Sequence, residues 1–460
     1  MDHYGKHFVA IIGGSVAGSE AAYLLAEKGI RVVVFDQKSL PYGKIEDGLP
    51  KWHAGLRDKE EALIDARLSH EGVRFVPNFQ LGRDASLEEL VNDWGFSAVI
   101  IAIGAWKDRM IDVPGIEKFI NNGLVKQNDF VFWFNHNHEP DYSGPQYKIL
   151  NNTGVIGGGL ASLDVVKIVM IELVQQALAK RGVQVGMFAL EKKGVASILE
   201  ANNTSLSELG ITPCTLFYRR AAEDMPLYPR KDDTVEGIAK AKTVSRKLLT
   251  NYQTKFLFNF EPHCIPVAAH GDNGQLTGLT FQRVRPEEGR LVNIPGDTFE
   301  FDSELIISSI GSLPMDTPGL PINGSLLRTY GEFGCMVEGY DNVFAIGNVV
   351  TGRGNILESK KHGRKITETI ISDHLSPEYT DPMADKYDTL FRQIEADAGR
   401  KLENIVSNMD DTPTEPDDKI KEILDRTTEL QTRVGYQGDY MTWANAHRPI
   451  RLEELIAEDK

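Results

Sequence analysis

The chain has 460 residues and a formal net charge of -16. That length allows two or three domains with separate cores, and 41% apolar with 25% charged residues is the composition of a globular protein, not a disordered one. The acidic balance argues against nucleic acid and membrane surfaces as partners, because both recruit a surplus of Lys and Arg.

The N-terminal stretch "MDHYGKHFVAIIGG" lacks the basic region, apolar segment and cleavage site of a secretory signal, which makes a cytoplasmic location the expectation. Residues 8–12 read as a buried strand, 13–18 as a glycine turn, 19–28 as a capped helix ending before Gly29, and 31–36 as a second strand closed by Asp36. This is a βαβ unit. Its turn follows G-x-G-x-x-G, except that Ser15 stands at the middle glycine. Gly13 permits the tight turn, Gly18 lets the helix pack close to the strand, and Ser15 is small, with a hydroxyl able to donate to a phosphate oxygen. Asp36 stands about twenty residues further on, where a carboxylate accepts hydrogen bonds from an adenosine ribose.

"FSAVIIAIGA", 96–105, is another buried strand running into Gly104. The alternating histidines of "NHNHE", 135–139, lack a second pair at metal-binding spacing and read as a polar loop. Residues 147–182 repeat the strand, loop and helix device. Gly157, Gly159 and Ser162 fit G-x-G-x-x-[A/S], and the apolar run 164–174, broken by Lys167 and Glu172, is a buried helix too short to span a bilayer. "CTLFYRR", 214–220, ends in Arg219 and Arg220, with no carboxylate for a ribose 2′-hydroxyl. Planar arginine donors suit a 2′-phosphate; the competing expectation is a solvated pair near Glu223 and Asp224. An acid closing one loop and arginines the other imply two different dinucleotides, FAD first and NADP(H) second, with hydride passing between them.

Cys214, Cys264 and Cys335 lie far apart with no C-x-x-C pair, so they read as small buried hydrophobes, with no sequence-local metal cluster or redox disulfide. Two later strands, 304–312 and 342–348, also end at glycine. From about 377 the chain becomes charged and helix-forming, interrupted by a linker, "DDTPTEPDD", at 410–418. Ile420, Ile423, Leu424, Leu430 and Val434 then fall near one helical face, suited to the protein body or to a second subunit.

Taken in order, the loop at 13–18, "LPYGKIEDGLPKWH" (40–53), "QLGRDASLEEL" (80–90), "IIAIGA" (100–105), "DVPGIE" (112–117), "VIGGGLASLDVVKI" (155–168), "YRR" (218–220), "LIISSIGSLPMD" (305–316) and "AIGNVVTGRGNI" (345–356) resemble the two-dinucleotide flavoproteins. Among these the resemblance is to the adrenodoxin reductase type of NADPH-ferredoxin reductase, over about residues 7–375. Residues 218–237 also look like the small subunit of glutamate synthase, whose cysteine-rich iron-sulfur region has no counterpart in this sequence.

The resemblance implies an α/β fold of two Rossmann-like domains: an FAD domain at 1–108 and 326–376, an NADPH domain inserted at 109–325, and a helical C-terminal extension at 377–460. It also implies that His53 lies near the flavin and relays a proton. Asp164 matches a family aspartate in the first turn of the second helix, where a carboxylate also suits the helix N-terminus, so structural and catalytic roles both stay open. Gly104 belongs to the FAD side, Gly347 approaches the ribityl and phosphate chain, and Gly354, Asn355 and Ile356 offer amides to the reduced ring. Asn348 departs from the residues common at its position. Lys240, Lys242, Arg246 and Lys247 match roughly where the family meets an acidic iron-sulfur partner. The implied function is transfer of electrons from NADPH through FAD to a ferredoxin-like or other protein acceptor. Two alternatives are an electron-input subunit assembled through the extension, as a homo-oligomer or larger complex, and a non-catalytic FAD-containing assembly protein.

Overall fold

A computed structural model describes residues 7–228, 234–323, 326–331, 334–351, 382–410, 414–452 and Leu455. β1 (Phe8–Ile12) is apolar throughout and wholly buried, as expected of a parallel strand covered on both faces. It is followed by α1 (Val16–Glu27), β2 (Arg31–Phe35), α2 (Lys44–Gly48), α3 (Ala54–Leu68), β3 (Val73–Val76) and β4 (Ala98–Ile101). The chain crosses through β5 (Lys107–Asp108) to β6 (Leu124–Lys126), α4 (Gln127–His136), β7 (Gly154–Gly157), α5 (Leu160–Lys180), α6 (Met187–Lys193), α7 (Val195–Ala201), β8 (Thr215–Phe217), α8 (Val235–Phe256) and β9 (Asn259–Glu261). An antiparallel ribbon of β10 (Cys264–Asp272), β11 (Gln275–Glu287) and β12 (Arg290–Asp302) precedes β13 (Ile306–Ser309). The return runs through β14 (Ser312–Leu313), which pairs antiparallel with β5, so the two crossings lie side by side. Then come β15 (Ile322–Asn323), β16 (Leu326–Leu327), β17 (Thr329–Tyr330), β18 (Met336–Val337), β19 (Val343–Ala345), α9 (Asn348–Thr351), α10 (Pro382–Asp410), α11 (Asp417–Arg433) and α12 (Tyr440–His447).

The first sheet has the order β17-β18-β19-β4-β1-β2-β3 and is parallel from β19 to β3. The second, β6-β13-β7-β8-β9, is parallel throughout. Alternate residues of β1 and β2 feed opposite layers: Val9, Ile11, Val32 and Val34 face one core, Phe8, Ala10, Ile12, Val33 and Phe35 the other. The first of these cores continues into α5, β7 and β8, which joins the two sheets through one apolar layer.

Several sequence expectations change here. The first helix starts at Val16, three residues earlier than the glycine pattern implied, because Ser15 already has the extended backbone of an N-cap. Asn135 and His136 are not a polar loop; they form the buried last turn of α4. α10 runs through to Asp410 and α11 begins at Asp417, which shortens the expected linker. Ile420 and Ile423 are buried against the first sheet, with Leu424 and Leu430 beside them, while Val434 packs on the other core. The three cysteines are free and buried.

Candidate functional site

The parallel strands β1, β4 and β19 run into Gly13, Gly104 and Gly347 at one edge of the first sheet, the edge where α/β folds bind ligands. Gly18 is demanded sterically: a Cβ there would stand 1.8 Å from the Gly13 carbonyl oxygen. No side chain caps α1, so its first amides are open to an anion. The Ser15 hydroxyl is not directed to a phosphate; it donates to the Tyr42 carbonyl at 3.0 Å and ties the following segment to the loop. Asp36 accepts from the Gly14 and Lys38 amides at 2.9 and 3.0 Å. Burial nevertheless pushes its carboxyl up to about 6, against those two donors. Asn348 opens α9, whereas Gly354, Asn355 and Ile356 lie outside the described residues.

The second loop differs in what its glycines touch. A Cβ on Gly157 would meet the Ser309 carbonyl oxygen at 2.2 Å, whereas one on Gly159 would have nothing within 4 Å. The middle position is therefore open, as a pyrophosphate requires, and no side chain caps α5. Ser162 is fully buried, and its hydroxyl donates to the Ser309 carbonyl at 3.0 Å, so it locks helix to strand and does not face a ligand. Arg219 and Arg220 are exposed beyond β8. The acids expected to compete for them are occupied: Glu223 pairs with Arg246 and Asp224 with Lys242, both at 2.8 Å. Lys240 and Lys247, on the same α8, are exposed.

Between the loops the structure brings His53 and Asp164 together. Their side chains are 2% and 1% exposed as residues, and Nε2 of His53 stands 3.7 Å from Oδ1 of Asp164. Trp52 Nε1 donates to the same imidazole nitrogen at 3.1 Å. Tyr387, on α10, donates to Asp164 Oδ2 at 2.7 Å and sets its ring edge-on to His53 at 5.6 Å. Lys167, one turn along α5, is 3.9 Å from Asp164 Oδ1 and donates to Glu191 at 2.9 Å. Sequence reasoning missed Trp52, Tyr387 and Glu191. Lys167 was visible as the charge interrupting an apolar helix, three residues after Asp164.

Two lysines, Lys38 and Lys44, follow Asp36 in the chain. Burial pushes Lys44 down to about 8, although Asp108 and Asp47 oppose it, and the amine donates to Asn128 and Ser312 at 3.1 and 3.0 Å. Lys38 pairs with Asp47, which also faces His136 at 3.3 Å. Two uncapped helix starts, one beside a ribose-type carboxylate and one beside free arginines, fit FAD at the first loop and NADP(H) at the second.

Comparison with known proteins agrees with that geometry. The family model described as pyridine nucleotide-disulphide oxidoreductase matches residues 7–211. The chain is 25% identical to the NADPH-ferredoxin reductase FprA of Mycobacterium leprae, over 80% of this chain and 84% of that protein. It is 24% identical to the mitochondrial NADPH:adrenodoxin oxidoreductase of Arabidopsis thaliana, over 68% and 69% respectively. The structure of Mycobacterium tuberculosis FprA in complex with NADPH shares the fold, with a TM-score of 0.65 at 18% identity, covering 93% of this chain and 91% of that one. Fold and loops thus define a two-dinucleotide-binding flavoprotein oxidoreductase. Within that class, the chain is similar to the adrenodoxin reductase type of NADPH-ferredoxin reductases.

Proposed function

We propose that this protein is an FAD-dependent oxidoreductase that takes hydride from NADPH and passes electrons to a ferredoxin-like protein acceptor. The observation that carries the reading is the meeting of His53 and Asp164 between an acid-closed and an arginine-closed nucleotide loop. In this assignment residues 1–108 and 326–376 hold FAD, 109–325 hold NADPH and 377–460 form the extension. Bound FAD would supply the chemistry that accepts two electrons and releases them singly. The chain's own work is orientation and proton handling. Asp36 accepts the ribose hydroxyls, and the open amides of α1 and α5 face the two pyrophosphates. Gly104, Gly347 and Asn348 line the FAD side. Arg219 and Arg220 clamp the 2′-phosphate, because α8 already neutralises the neighbouring acids. His53 takes up the proton beside Asp164: its Nε2 accepts from Trp52 and stands 3.7 Å from the carboxylate, whose charge offsets that of a protonated imidazole. An acidic acceptor docks near Lys240, Lys242, Arg246 and Lys247; Lys240 and Lys247 supply the steering charge, since the other two are paired.

The test is an anaerobic titration of the flavin absorbance with NADPH and, separately, with NADH. Selective bleaching by NADPH, weakened about a hundredfold in Arg219→Ala/Arg220→Ala through loss of two charge-assisted contacts, is the expected result. Equal response to both nucleotides would overturn the arginine assignment, and a flavin that neither reduces would overturn the function.

A further inference from the structure

We propose that Tyr387 is a positioning residue for the His53–Asp164 pair, which makes the C-terminal extension part of the reactive site. The inference rests on the reading of that pair as the site of proton handling.

Asp164 is a buried carboxylate, and such a group needs a donor to fix its direction. Its Oδ2 receives the Tyr387 hydroxyl at 2.7 Å, while Oδ1 faces two cations or potential cations, His53 at 3.7 Å and Lys167 at 3.9 Å. Lys167 is drawn aside by Glu191 at 2.9 Å. A neutral phenol orients the carboxylate without cancelling its charge, so Oδ1 stays available to a protonated His53. A lysine or arginine in the place of Tyr387 would compete with the imidazole instead.

The placement of Tyr387 is over-determined. α10 is tied to α3 by Lys59–Asp388 at 2.5 Å, Arg67–Glu395 at 3.0 Å and the Arg392–Glu60 pair. α3 begins at the residue after His53, so the helix that carries Tyr387 is braced against the helix that His53 leads into. Asp164, by contrast, belongs to α5 of the other sheet. The phenol therefore fixes a carboxylate from one nucleotide half against an imidazole from the other. Phe391 stacks beneath it at 6.5 Å and holds the ring in place.

The experiment compares holoenzyme carrying Tyr387→Phe or Tyr387→Ala with the unaltered protein. Phenylalanine keeps the packing and removes only the hydroxyl. For Tyr387→Phe the expected result is a kcat about tenfold lower with the KM for NADPH unchanged. Without the phenol the carboxylate's charge is less shared and holds a protonated imidazole more firmly. The alkaline limb of the kcat profile should therefore move to higher pH. The ring-nitrogen NMR signals of His53 in ¹⁵N-histidine-labelled protein, assigned with His53→Gln, should move with it. Signals and pH profile that coincide with those of the unaltered protein in Tyr387→Phe, with losses only in Tyr387→Ala, would reduce Tyr387 to packing and overturn the proposal. Because the NMR titration needs no turnover, failure of NADPH to reduce the flavin would sink the functional reading separately.

Discussion

Asp36 gives the FAD assignment a pH signature. Its carboxyl is pushed up to about 6 by burial, against the donors of Gly14 and Lys38. Two ribose hydroxyls donate hydrogen bonds and need an ionised acceptor. With that value, about nine-tenths of the empty sites are ionised at pH 7 and about one-tenth at pH 5, so FAD affinity should fall about tenfold across that interval, or about 1.4 kcal/mol. The folding contribution runs the opposite way: a carboxyl raised above its ordinary 3.8 makes the FAD-free protein lose stability as pH rises through about 6, and bound FAD reverses this. The assay is fluorescence quenching on adding FAD to the flavin-stripped protein at pH 5 and 7, with Asp36→Asn alongside. The asparagine variant should bind more weakly at pH 7 and show no change between the two pH values. A variant that keeps the full pH dependence would assign it to another group and refute the role given to Asp36.

Other outcomes follow from neighbouring geometry. Gly159→Ala meets no atom within 4 Å and should leave stability unchanged while raising the KM for NADPH about tenfold; Gly157→Ala would force a Cβ within 2.2 Å of the Ser309 carbonyl oxygen and should destabilise folding by about 3 kcal/mol or more. Equal effects of the two in thermal melts and kinetics would contradict the placement of the loop. Burial opposes a charge on His136, but hydrogen bonds with Asp47 and Glu139 outweigh it and push the imidazole up from 6.5 to about 9. Its stabilisation, about 3 kcal/mol, is present below pH 6.5 and lost as pH rises through about 9. The urea stability gap between His136→Gln and the unaltered protein should therefore shrink from pH 6 to 9.5; a constant gap would count against it. Removing residues 436–460 takes away Trp443, which donates to the Ser39 carbonyl at 2.7 Å, and Arg448 and Tyr440, which hold Asp65 at 2.5 and 2.8 Å. Asp65 in turn holds Tyr42 at 2.9 Å, and Tyr42 receives Ser15. The truncated protein should retain less than half the flavin after gel filtration, and full retention would show the strap to be irrelevant to the loop.

What was legible in the sequence was local. A run such as Phe8–Ile12 ending at glycine determines strand, turn and helix within a few residues, and both nucleotide loops were found that way. Side-chain partners were not legible, because they come from far along the chain. Ser15 was expected at a phosphate but turns to Tyr42, and Ser162 turns to Ser309, 147 residues away. Tyr387 lies 223 residues from the carboxylate it orients, inside a helix whose pattern announces only packing. The "NHNHE" stretch misled for a related reason: polar composition says nothing of burial when Asp47, from a distant helix, supplies the countercharge.

The matched family model carries disulphide chemistry in its description, and the cysteines separate this chain from that chemistry. A dithiol relay needs two accessible sulfurs within bonding reach, one of them a thiolate near neutral pH. Cys214, Cys264 and Cys335 are free and buried. Burial pushes the thiol of Cys264 up to about 12 and raises those of Cys214 and Cys335 as well, the direction opposite to activation. Electrons that enter at the arginine-closed loop therefore have no thiol path outward through the chain's own cysteines. Delivery to an external one-electron acceptor, as proposed above, does not depend on these thiols.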